Sequence, residues 1–113
     1  MLLEIAMADA YGAGFEFAEH EYIKQNHCLR KYHQSPYDKK PAGRYTDDTQ
    51  MTIALCELMI NEPGTWNKEL VAKYFLKAFK RDPRDTYSND FYHFLKETDC
   101  SGLILPDTSK DFS

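Results

Sequence analysis

Thr46, Asp47, Asp48 and Thr49 place four oxygen-bearing side chains in a row immediately ahead of an apolar helical pattern. Adjacent carboxylates repel each other, so keeping Asp47 and Asp48 together calls for a counter-charge, either a divalent cation or the positive end of a helix. Mg²⁺ takes oxygen ligands in octahedral geometry and retains several waters. A threonine hydroxyl and two carboxylates therefore suit one side of such a site. A plain helix N-cap is the alternative, since Thr and Asp commonly fill that role. Glu16, between Phe15 and Phe17, has a similar choice. It is either an exposed charge at a helix end, with its neighbours entering the core, or a group that moves a proton or orients a substrate.

The elements that must position these residues read as helices throughout. Leu2, Leu3, Ala6, Ala10 and Ala13 recur at helical spacing until Gly12 and Gly14 loosen the pattern, which puts Glu16 at a helix end. From His20 to Arg44 the periodicity is poor, and Pro36 and Pro41-Ala42-Gly43 punctuate a long connection. Connections of that length in a compact domain are often functional. Met51, Leu55 and Leu58 then mark a helix with Thr46 or Asp47 as its N-cap, stopped by Asn61-Glu62-Pro63-Gly64. Trp66, Leu70, Tyr74 and Ala78 mark another, ending before Pro83, and a shorter helix beginning near Ser88 carries Phe91, Phe94 and Leu95. No alternating strand pattern of useful length interrupts them. The expected fold class is all-α.

Composition excludes several functions. With 42% hydrophobic and 28% charged residues, the 113-residue chain is apolar enough to collapse and too polar to span a membrane. A cytoplasmic location is the default expectation. The formal net charge is -4, and apart from a basic stretch around Lys24 to Lys40 the signs are mixed, so neither nucleic acid nor membrane is an expected partner. Tyr32 and Tyr37, which interleave that stretch, read as loop packing. Cys28, Cys56 and Cys100 are odd in number and widely spaced, the pattern of reduced thiols. His20, His27 and His33 with Cys28 lack the spacing of a zinc finger or ribbon, so a polar connecting segment is the better interpretation.

Three segments in order resemble the ADP-ribosylglycohydrolase family, whose members include the glycohydrolase that reactivates dinitrogenase reductase. Ala8-Asp9-Ala10-Tyr11-Gly12, followed by Glu16-Phe17, is similar to the family's opening Gly-Asp-Ala-x-Gly and Glu-Phe, with Ala8 where glycine is usual. Gly43 to Met51 looks like its acidic motif, and Asp82 to Ser88 with Phe91, Phe94 and Leu95 is similar to a less distinctive segment of many bacterial members. The resemblance implies that Thr46, Asp47 and Asp48 are metal ligands for a binuclear Mg²⁺ (or Mn²⁺) centre. It also implies that Glu16 is a candidate catalytic residue facing the ligand, and that the substrate is an ADP-ribosylated protein or ADP-ribose. Asp9 matches the pattern too, either supporting the first helix or approaching the site.

The family's later Asp-x-Asp-Thr and Asn-Gly-x-x-Met-Arg segments have no counterpart here; the second half of the metal site is missing. Residues 1–113 are accordingly expected to form the front part of a larger helical domain, truncated or split, with an irregular tail after about residue 106. Activity is then expected only with a C-terminal complementing segment or subunit. Two further readings stand beside the hydrolase fragment: a catalytically inactive helical protein that binds ADP-ribose or metal, and a small helical interaction module.

Overall fold

The computed structural model describes residues 1–37 and 40–98. Among them lie five helices and no strand: α1 (Leu2–Ala13), α2 (His20–Asn26), α3 (Asp47–Asn61), α4 (Lys68–Arg81) and α5 (Asn89–Glu97). The all-α expectation holds. The expected irregular tail after about residue 106 lies outside the described residues.

The chain divides into two compact units, Met1–Thr52 and Ile53–Ser113, with the boundary inside α3. In the first, α1 ends at Gly14, whose amide donates to the carbonyl of Gly12. Gly14 is buried, and a Cβ there would stand 2.2 Å from the His33 carbonyl oxygen, so only glycine lets the α2–α3 connection approach this closely. That connection is also tied to α1 by Tyr11. Its hydroxyl accepts from the backbone amides of Cys28 and Leu29, each at 3.0 Å, and lies 2.8 Å from His27 Nδ1. Phe15 packs beside Tyr11, Tyr22, His27 and His33.

The second unit is built on rings and leucines. Leu58, Leu76 and Leu95 are fully buried. Phe75 and Phe79 of α4 meet Phe91 and Tyr92 of α5, while Tyr87 from the intervening loop meets both Phe79 and Phe91. The Asn67 side chain caps α4 by accepting from the Leu70 amide at 2.8 Å. Lys80 near the end of α4 donates to the Lys96 carbonyl at 2.9 Å, satisfying an acceptor in the last turn of α5.

Two expectations need adjustment. The segment from His20 contains a seven-residue helix, α2, with no buried residue. Trp66, expected inside a helix, precedes the Asn67 cap and donates its indole N–H back to the Glu62 carbonyl at 2.9 Å.

Candidate functional site

The acidic motif opens α3. Thr46 stands just before the helix, its carbonyl accepting from the Gln50 amide at 3.2 Å, and Asp47 and Asp48 fill the first turn. A helix start leaves amide donors without intrahelical partners. Here much of the capping comes from α1, 37 to 40 residues away in sequence.

Asp9 accepts at Oδ2 from the amides of Thr46 (2.8 Å) and Thr49 (3.2 Å) and from the Thr49 hydroxyl (2.6 Å). At Oδ1 it accepts from the Thr46 hydroxyl (2.6 Å). Thr46, Thr49 and Gln50 are buried. Partial burial alone would raise the Asp9 pKa, but the hydrogen bonds from Thr46 and Thr49 outweigh it and hold the carboxyl below the ordinary aspartate value. Asp9 is therefore a charged brace on the positive end of α3.

Asp48 has the opposite situation. It is exposed as a residue, yet the partial desolvation of its carboxyl, then the charges of Asp47 and Asp9, push its pKa above the ordinary value. Three carboxylates converge on one helix end, and one of them is left with unfavourable electrostatics. A divalent cation would relieve that repulsion.

The state of Thr46 suits such an ion. Its hydroxyl donates to Asp9, so the Oγ1 lone pairs face elsewhere, and it receives only a long contact, 3.3 Å, from the Asp48 amide. The donor set of one hydroxyl oxygen and two carboxylates is that of a hard cation. Among the described residues no group of three or more His, Cys, Asp or Glu side chains is arranged to hold a metal ion.

Glu16 lies in the turn after α1, its amide reaching the Ala13 carbonyl at 3.4 Å, and is exposed. Of its neighbours, Phe15 packs among rings, while Phe17 is 86% exposed at φ 62°. The residues weighed for zinc divide: Cys28 Sγ is 3.5 Å from His33 Nε2, whereas His27 faces Tyr11. The sequence left the role of Asp9 open and did not assign one to Thr49. A signal was present in both cases, the match of Asp9 to the family's opening segment and the fourth oxygen-bearing side chain of the 46–49 run.

No described helix is long and apolar enough to cross a membrane. Comparison with curated proteins and with solved structures returned no match. The family model of the ADP-ribosylglycohydrolases matches residues 1–103, in a region that corresponds to the N-terminal part of the family. With that match covering most of the chain and carrying the braced acidic motif, the protein belongs to the ADP-ribosylglycohydrolase family.

Proposed function

We propose that this chain supplies one half of the active centre of a metal-assisted hydrolase that removes ADP-ribose from modified protein side chains. The observation that supports this most is the Asp9 brace, which fixes the start of α3 and leaves Asp48 exposed and electrostatically strained. Thr46, Asp47 and Asp48 would hold Mg²⁺ or Mn²⁺, with the rest of a binuclear shell coming from a C-terminal complementing segment or subunit. When bound, a metal pair there would supply Lewis acidity toward ribose and water oxygens.

The work of this chain's own residues follows from their positions. Asp9 accepts the Thr46 hydroxyl hydrogen bond and so turns the remaining lone pairs of Oγ1 away from itself. In the reaction the bond from the anomeric carbon to the protein side chain breaks, a bond to water oxygen forms, and the transition state has oxocarbenium character. Glu16, exposed beyond α1, would take the water proton or orient the ribose. Cys28 and Cys56 are free thiols, which suits the cytoplasm as the compartment we propose.

A purely structural cap is favoured by one observation: both the amide and the hydroxyl of Thr46 are already satisfied by Asp9. Calorimetric titration with Mn²⁺ separates the two readings. A metal site predicts weak binding that Asp47→Asn and Asp48→Asn each weaken further, and unchanged affinity in both variants assigns the carboxylates to capping. Release of ADP-ribose from a modified protein should require a partner segment carrying the missing Asp-x-Asp-Thr ligands, depend on divalent metal, and disappear in Asp48→Ala. Glu16→Ala should lower turnover without displacing the metal.

A further inference from the structure

Cys28, in the connection between α2 and α3, is an exposed free thiol that no step of the proposed hydrolysis uses. Its sulfur lies 3.5 Å from His33 Nε2. Both members of this pair are held by α1 and the turn after it. The Cys28 amide donates to the Tyr11 hydroxyl at 3.0 Å, while the His33 ring packs 5.2 Å from that of Phe15 and the His33 carbonyl lies against Gly14. Leu29 has φ 56°, a left-handed conformation uncommon for leucine, and its amide is also tied to Tyr11. Such a turn points the amides that follow it at a single spot, an arrangement that suits an anion. Here the spot is the sulfur: the Arg30 amide, with the Lys31 amide and the positive charges of both residues, outweighs desolvation and holds the Cys28 thiol below the ordinary cysteine value.

A thiolate nucleophile needs an accessible sulfur, a group to take its proton and positive charge nearby. Cys28 has the exposure, His33 is the proton acceptor, and Arg30 and Lys31, both exposed, are the cations. Cys56, by contrast, is half-buried in α3. The two cations also select the reaction partner, since they attract an anionic disulfide and repel a cationic one. We propose that Cys28, paired with His33 and flanked by Arg30 and Lys31, is a reactive thiol that takes up a low-molecular-weight anionic disulfide by thiol–disulfide exchange. In that step the thiol proton passes to His33 Nε2, the Cys28 sulfur bonds to one sulfur of the disulfide, and the old S–S bond breaks. The other sulfur leaves with the bonding pair and takes up the proton, so Cys28 is oxidised, the departing half is reduced, and excess thiol reverses the exchange. The groups about the sulfur that titrate or carry charge are Arg30, Lys31 and His33 on the connection, Tyr11 on α1 and His27 at the end of α2.

The test follows mixed-disulfide formation on the full chain by mass spectrometry with peptide mapping, using oxidised glutathione as the anionic probe and cystamine as the cationic one, across a range of pH. Near neutral pH Cys28 should react with oxidised glutathione about tenfold faster than a cysteine in an unstructured peptide. It should also outpace Cys56, and the midpoint of its rate against pH should lie below that of the peptide. His33→Phe keeps a ring beside Phe15 and removes the nitrogen; it should slow the reaction and move that midpoint upward. Arg30→Gln/Lys31→Gln should slow the reaction with oxidised glutathione more than that with cystamine, and high salt should do the same to the parent. A Cys28 rate and midpoint equal to those of the peptide would overturn the proposal, as would an unchanged midpoint in a His33→Phe variant that circular dichroism shows to be folded. Should that variant not fold, the two probes decide on the parent alone. Cys28 must then favour oxidised glutathione over cystamine relative to the peptide, and the absence of that preference overturns the proposal.

Discussion

In Met1–Thr52 the fixed points are polar: the Asp9 carboxylate collects four donors from Thr46 and Thr49, and the Tyr11 hydroxyl collects two amides and an imidazole. From Ile53 onward the fixed points are apolar, with Leu58, Leu76 and Leu95 fully buried and the rings of α4 and α5 in edge contact. Hydrogen bonds are directional, and a charged hub orients every group attached to it. Apolar burial is stronger in sum and indifferent to orientation. The polar unit carries the residues of the proposed site, Thr46, Asp47 and Asp48.

The comparison can be broken where it is most exposed. The largest effect is expected from Leu76→Ala, which should cost about 3–4 kcal/mol because the side chain is fully buried. Urea unfolding measures the loss, and hydrogen exchange should show it as faster exchange in α4 and α5. Equal loosening of the Thr49 amide would make the two units one cooperative structure. Asp9→Ala should cost about 2–3 kcal/mol, since it strands several donors of a helix start at once, and should speed exchange at Thr49 and Gln50. A cost within error would show that water replaces the brace.

Next comes Asp48→Asn, expected to reduce Mn²⁺ affinity about tenfold while raising stability slightly in the absence of metal, because it removes a carboxylate whose charged form is disfavoured. Reduced stability would contradict the strained-site argument. The smallest effect belongs to the exposed pair between Arg81 and Glu57. Glu57→Gln should change stability by no more than about 0.5 kcal/mol, and less at high salt. A loss comparable with that of Asp9→Ala would make surface charge a main support of the second unit.

The helices read from the sequence share an apolar periodicity, although in α1 only Ala10 of that pattern is buried. α4 shows it plainly, with Ala72, Leu76 and Phe79 on the inner face and Lys73, Lys77 and Lys80 exposed. α2 escaped notice because His20–Asn26 buries nothing and its Glu19 cap position makes no side-chain hydrogen bond. Without a core face, a seven-residue helix leaves no periodic trace. Trp66 was drawn into α4 by spacing alone; the Asn67 cap and the indole contact to Glu62 place the boundary after it.

Sequence by itself determined the helical class, the family through three ordered segments, and the acidic run at the head of α3. Each is a local or patterned property, visible wherever residues are neighbours in the chain. Tertiary structure alone decided that Asp9 serves α3 rather than its own helix, that the Thr46 hydroxyl donates to that carboxylate, and that Tyr11 and Gly14 hold the loop after α2. These contacts join residues well apart in sequence. Their energies depend on desolvation, angle and distance, which folding sets and residue order alone does not display.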